Sequence, residues 1–167
     1  MQRWLDQKNA IVADSVYADN QLVARDVAVT LPEVTFMTAE AQAMGTMNVP
    51  IVGMIEDMTA SITKTGIDKA MLGLLSPGKH NFEVRFVQNS MSADGTSKPE
   101  GCKAFLSGTI GTIPGISVEP GSASENEISI TVTRFQLYIN GEEALCIDRL
   151  TGICRINGVD YYSDVAA

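Results

Sequence analysis

Histidine is nearly missing from this chain: His80 is the only one in 167 residues. A Ser-His-Asp triad could be built only around it. It sits beside Gly78 and Lys79 in what reads as a solvated loop, so no catalytic residue and no enzymatic activity are expected. Cysteine is almost as scarce. Cys102, Cys146 and Cys154 are an odd set without metal-ligand spacing. Cys146 and Cys154 fall in strand-like patterns, where cysteine packs as a small hydrophobe. Basic residues number 12 against 20 acids, for a net charge of −8, and they form no cluster. That excludes a general nucleic-acid binder, because phosphate backbones are held by grouped Lys and Arg. No apolar run is long enough to span a bilayer. Residues 1–8 lack the apolar core of a signal peptide, so a soluble protein made in the cytoplasm is expected. Phosphate and calcium loops are missing too. Gly108-Thr109-Ile110-Gly111-Thr112 lacks the Lys and helix of a phosphate site, and Asp94-Gly95-Thr96 lacks the remaining calcium ligands. Glu142-Glu143 sits beside a turn, where charge serves solubility. No cofactor and no metal are expected.

What is present is a core and a pattern. Hydrophobic residues are 45% of the chain and charged residues 19%, which suits a globular protein. The length suits a single domain over residues 1–167, able to remove about 70% of its unfolded surface from water without disulfides or metal.

The pattern is mostly strands. Residues 11–31 read as a hairpin about Ala18-Asp19-Asn20. Residues 36–50, rich in Ala and Met and broken by Gly45 and Pro50, read as a long exposed loop, with a short surface helix as the alternative. Residues 55–64 alternate, with Met58, Ala60 and Ile62 against Asp57, Thr59, Ser61 and Thr63. A helix is predicted over 67–75 from Ile67, Ala70, Met71, Leu74 and Leu75, stopped by Ser76-Pro77-Gly78. Strands follow at 81–88, with Phe82, Val84 and Phe86 on one face, and at 104–113. Polar loops are expected at 89–101 and 114–126. The longest strand, 127–139, sets Ile128, Ile130 and Val132 against Ser129, Thr131 and Thr133. Its phase slips near Arg134, which predicts a bulge. Asn140-Gly141 is a strong hairpin signal, and a further short hairpin turns at Asn157-Gly158. The sum is a mainly β fold, a β-sandwich or partly open β-barrel with one packed helix.

Three stretches resemble the major tail tube protein family of contractile-tailed phages (myophages) and related phage-tail-like bacteriocins. They are the first hairpin ending in Val29-Thr30-Leu31-Pro32-Glu33, the Ser/Thr-rich strand running from Ile128 into Asn140-Gly141, and Ile147-Asp148 through Arg155-Ile156-Asn157-Gly158-Val159-Asp160. The order of elements is similar from about residue 12 to 160. The resemblance implies a structural protein that self-assembles into stacked hexameric rings, with one continuous barrel lining the lumen of the tail's inner tube. It implies self-contacts and partners in the tail sheath, baseplate and tail terminator proteins. DNA enters as non-specific cargo, and the subunit does not insert in a membrane. It also implies a virion tail or an extracellular bacteriocin particle, assembled in the host cytoplasm.

The small polar faces of the strands are read as the lumen wall: Asp26, Ala28 and Thr30, with Ala24 preceding them; Asp57, Thr59, Ser61 and Thr63; Ser107 and Thr109; and Ser129, Thr131 and Thr133. Hydroxyls give a smooth wall and scattered acids repel phosphates. Residues 143–160 are expected on the barrel's outer side. The stretch 36–50, through Phe36, Met37, Met44, Met47 and Val49, is the expected contact with a neighbouring subunit. Two other readings are weighed: the tube subunit of a related secretion or injection system, and a small-molecule-binding β-barrel. The polar Thr faces count against the latter, which needs an apolar cavity.

Overall fold

The computed structural model describes residues 7–25, 27–66, 68–73, 76–92 and 94–162. In chain order they form β1 (Gln7–Ala18), β2 (Gln21–Arg25), β3 (Ala28–Thr30), β4 (Phe36–Gln42), β5 (Thr46–Ile55), β6 (Met58–Thr65), the helix α1 (Lys69–Gly73), β7 (Lys79–Met91), β8 (Ser97–Thr109), β9 (Glu125–Ile139), β10 (Glu142–Asp148), β11 (Ile153–Ile156) and β12 (Val159–Asp160). Ten strands make one antiparallel sheet in the order β12-β11-β10-β9-β8-β7-β1-β2, with β6 on β9 and β3 on β6. β4 and β5 pair only with each other.

Turn chemistry sets the hairpins. Asp19 and Asn20 have φ of 49° and 68°, Asn140 and Gly141 53° and 82°, and Asn157 and Gly158 50° and 85°. Two successive positive φ values match the twist of the flanking strands.

β9 organises the molecule. One of its edges holds β8 along residues 131–139. The other holds β6 along 125–132 and then β10 from Arg134 onward. The change of partner falls on Thr133, the extra residue of a bulge: Val132 pairs with Gly108, but Arg134 pairs with Ser107. The slip expected near Arg134 is therefore real, and it lets one strand serve two halves of the sheet. The crossing is tight. A Cβ on Gly108 would lie 2.3 Å from the Thr131 carbonyl oxygen and 2.9 Å from Ile130 Cγ2, so only glycine fits there.

The two halves close over one core. Met58, Ala60 and Ile62 of β6 and Ile128, Ile130 and Val132 of β9 meet Val16 and Ala18 of β1, Phe82 and Val84 of β7, and Ala104 and Leu106 of β8. The sheet curls but does not close into a barrel.

Three expectations need correction. Residues 36–50 are neither loop nor helix: they lie in the β4–β5 hairpin, turning at Met44 and Gly45 with φ of 51° and 120°. Residues 89–101 are mostly strand, because β7 and β8 run together until a turn around 92–96, tied by the Ser92 amide donating to the Thr96 carbonyl at 2.9 Å. The helix expected over 67–75 is described as five residues, Lys69–Gly73, with Leu72 exposed; residues 67, 74 and 75 lie outside the described residues.

Candidate functional site

Pairing brings most of the small polar residues onto one sheet face. Across the strands, Thr30 faces Ser61 and Ser61 faces Ser129; Ala28 faces Thr63; Thr59 faces Thr131, which faces Thr109. Residues opposite one another in an antiparallel pair share a face. These eight therefore form a continuous patch on the side away from Met58, Ala60, Ile62, Ile128 and Ile130, and all are exposed or half-exposed. Ser107 lies on the same side of β8, where its hydroxyl donates to Asn81 Oδ1 at 2.9 Å.

The remaining positions differ. Thr133, in the bulge, donates its hydroxyl to the Ser107 carbonyl at 3.1 Å. Asp57 precedes β6 and accepts from Arg149 Nη1 at 3.2 Å. Ala24 pairs with the fully buried Val16 and packs against the core, so it is not part of this face. Asp26 lies outside the described residues. Two acids were missed: Glu127 faces Thr63 and Glu125 faces Thr65. Their parity with Ser129 and Thr131 was the available signal. No Lys or Arg holds a position of this parity in β3, in β6 or along 125–132, but Lys79 of β7 faces Thr109 at the patch's margin.

The patch has free edges. Among the described residues β3 pairs only with β6, and the edge of β9 away from β6 is unpaired along 125–130. Exposed strand edges are templates for another chain's strands.

The β4–β5 hairpin is amphipathic and uncovered. Ala39 faces Val49 and Ala41 faces Met47, which together with Met37 make one apolar face; Glu40 faces Asn48 and Gln42 faces Thr46 on the other. Met37, Met47 and Val49 are exposed, and Met44 projects fully from the turn. Phe36 differs from these four, because it is half-buried against the main core.

Farther along β7 and β8, on the same side of β8 as Ser107 and Thr109, the chemistry changes. The outer face of β7, β8 and the later part of β9 carries Arg85, Lys103, Phe105 and Tyr138 around a groove of about 710 Å³. Phe105 meets Tyr138 edge-on with centroids 5.7 Å apart. Arg85 lies 4.4 Å above the Tyr17 ring and donates to Glu83 at 2.9 and 3.3 Å. On the strands beyond Tyr138, Arg155 donates to Glu143 at 2.8 and 3.3 Å, holding that carboxylate below its usual pKa, and Arg134 donates to Asp148 at 2.9 Å.

His80 is not a solvated loop residue. It lies in β7, 8% exposed, because its parity matches Phe82 and Val84. Nε2 is 2.8 Å from the Ser76 carbonyl and Nδ1 is 3.2 Å from Asp19 Oδ2. Both partners can only accept, so the two contacts are hydrogen bonds together when each ring nitrogen carries a proton. Ser76 Oγ, 3.2 Å from Nε2, has no basic lone pair to donate to and turns to the Gly73 carbonyl instead. In that state the constellation has the residue types of a triad but no ring lone pair to take the Ser76 proton. The three cysteines are free and buried, and burial pushes their thiols up, which suits packing. No group of three or more His, Cys, Asp or Glu among the described residues could hold a metal.

Residues 8–167 match the family described as phage tail tube protein FII. No curated protein matches at a significant level. Among solved structures, the chain is similar to one described as "Cryo-EM Structure of an Extracellular Contractile Injection System, PVC sheath-tube complex in extended state", with a TM-score of 0.53, 12% identity, and coverage of 75% of this chain and 87% of that one. At that identity the likeness is one of fold.

Proposed function

The chain belongs to the phage tail tube protein FII family and has a structural role in a tail tube, and from that membership we propose that it assembles as stacked hexameric rings forming the inner tube of a contractile tail. The observation that carries the proposal is the in-register hydroxyl face flanked by free edges. Neighbouring protomers closing those edges make a ring whose inner wall is this face, and closure removes the edges altogether. The wall then consists of Ala28, Thr30, Thr59, Ser61, Thr63, Thr109, Ser129 and Thr131 with Glu125 and Glu127. With Glu125 and Glu127 against Lys79, which faces Thr109 at its margin, the wall carries more acid than base and lets DNA or another polyanion pass without holding it.

Lys103 and Phe105 share the outer side of β8 with Thr109, and the sheet curls around the core between its two halves, so the two ends of that outer face turn away from each other. With the hydroxyl face toward the lumen, the groove at Arg85, Lys103, Phe105 and Tyr138 looks outward, toward the tail sheath, and β10 to β12 flank it. The apolar face of the β4–β5 hairpin is the contact with another copy, through Met37, Met44, Met47 and Val49. Baseplate and terminator proteins cap the tube's ends, assembly takes place in the host cytoplasm, and the subunit catalyses nothing. The likeness to a contractile injection system supports a second reading, the same subunit in an injection device; a DNA-filled head on purified particles separates the two.

Negative-stain microscopy of the purified protein is the test. Rings or tubes are expected. A monodisperse monomer at high concentration would overturn the reading and favour a small-molecule-binding barrel.

A further inference from the structure

The hairpin's direction is set at its base, not along its length. Phe36 pairs with Ile55, but Thr38 pairs with Pro50, so residues 51–54 bulge opposite Met37 alone. A bulge bends its strand. Gly53 lies in this one, with φ of 92°. The Tyr162 ring is seated on it: a Cβ at Gly53 would lie 2.2 Å from Tyr162 Cε2. The other edge of the same ring meets Gly152 in the β10–β11 turn, where a Cβ would lie 2.8 Å from Cε1. Tyr162 is therefore held between two glycines, one from the hairpin's bend and one from the C-terminal turn.

Arg149 makes a second tie from the same turn. Its guanidinium donates to the Ile55 carbonyl at 3.1 Å and to Asp57 at 3.2 Å, spanning the end of β5 and the start of β6. Its amide donates to the Thr133 carbonyl at 3.0 Å, in the bulge beside the hydroxyl face. The turn is itself stiff: Asp148 accepts from the Leu150 and Thr151 amides and from Arg134. Burial pushes Asp148 up, but these hydrogen bonds outweigh it and hold the carboxyl below its usual range. Between the ties a cleft of about 310 Å³ separates Met37 and Met54 from Arg149 and Tyr162, leaving the hairpin room to swing when the ties are cut.

We infer that Tyr162 and Arg149 form a clamp that presets the hairpin's angle, so that the free subunit already presents its apolar face in the direction a second copy must meet. These are positioning residues: they touch the hairpin's root and leave its contact face bare. An isolated two-stranded hairpin is marginal in water, so without the clamp it samples many directions and the competent one is rare.

The inference rests on the tail-tube reading for its consequence in assembly, though the clamp itself can be measured in the free subunit. The full chain is compared with Tyr162→Ala, Arg149→Ala and Tyr162→Phe, by hydrogen exchange of the unassembled protein and by the critical concentration for tube formation. Tyr162→Ala is expected to keep the core amides of β7 and β8 protected while the amides of residues 38–50 exchange about tenfold faster. Its critical concentration should rise about tenfold, as when a competent conformer falls to a tenth of the population. Tyr162→Phe should behave as the parent. Should Tyr162→Ala fail to fold, Arg149→Ala carries the same two measurements at a site outside the core. Unchanged hairpin exchange in the clamp variants overturns the clamp, and so does unchanged critical concentration. A parent protein that forms no tubes overturns the tail-tube reading, and the exchange result then decides the clamp alone.

Discussion

His80 bonds to the Ser76 carbonyl and the Asp19 carboxylate together when each ring nitrogen carries a proton, because both partners can only accept. The hydrogen bond to Ser76 raises its pKa above the ordinary value of 6.5; burial opposes this, and Asp19 adds to the rise. Asp19 is held low, first by the Asn81 amide and then by His80. The sign follows from linkage. A raised folded-state pKa contributes stability that is fully present below about pH 6.5 and is lost as pH rises through the folded value. Water screens the exposed Asp19, so the contribution is about 1 kcal/mol. Urea midpoints are therefore expected to fall between pH 6 and pH 9, and His80→Gln should flatten that slope. An equally steep decline in His80→Gln would place the titrating group elsewhere.

Among the elements, the β4–β5 hairpin matters most, because its apolar side is complete and no other described strand pairs with it. Met37, Ala39, Ala41, Met47 and Val49 share one face and meet no other strand. Deleting residues 39–46 removes Ala39, Ala41 and the Met44 turn, so the hairpin that holds this face together is lost, and it removes no core residue. The variant should fold with a melting temperature within a few degrees of the parent, since surface changes away from the core cost about 0.5 kcal/mol or less. It should also fail to polymerise. Tubes of normal length from the variant would end the assignment. The hairpin also shows where the sequence was legible and where it was not. Strict alternation was present in Met37-Thr38-Ala39-Glu40-Ala41-Gln42, but Ala, Met, Glu and Gln are helix formers and Gly45 and Pro50 suggested a loop. Local propensity hid a period of two. Where β-branched residues carried the alternation, as in β6 and β9, strands, faces and the bulge were readable in advance. The hydroxyl face was readable for the same reason, since parity alone places Ser61, Ser129 and Thr131. The Tyr162 clamp and the His80 pin were not readable. Each depends on groups brought together by topology: Gly53 with Gly152, and Asp19 with Ser76.

At the scale of the whole molecule, the proposed tube makes opposite demands on two surfaces of one small domain. The inner wall must not hold a polyanion, so it needs small neutral groups and more acids than bases; the hydroxyl face, with Glu125 and Glu127 against Lys79 opposite Thr109, has that composition. The outer wall must be able to grip a partner, and the groove offers Arg85, Lys103, Phe105 and Tyr138. The orientation can be read by thiol labelling, because Cys102, Cys146 and Cys154 are buried with their thiols pushed up and should stay silent. Cysteine is introduced singly as Ser61→Cys, Thr131→Cys and Lys103→Cys, and each variant is treated with a bulky polymer maleimide before and after tube formation. All three sites are exposed or half-exposed in the subunit, so all three should label there. In assembled tubes the reagent is too large to travel along the lumen. Ser61→Cys and Thr131→Cys should then label only at tube ends, at a small fraction of the subunit rate, while Lys103→Cys continues to react. A small maleimide, able to diffuse inside, should restore labelling at Ser61→Cys and Thr131→Cys, which distinguishes a lumen position from one buried between protomers. If Thr131→Cys reacts with the bulky reagent in tubes as fast as Lys103→Cys does, the hydroxyl face lies on the outside and the assignment of the two walls is reversed.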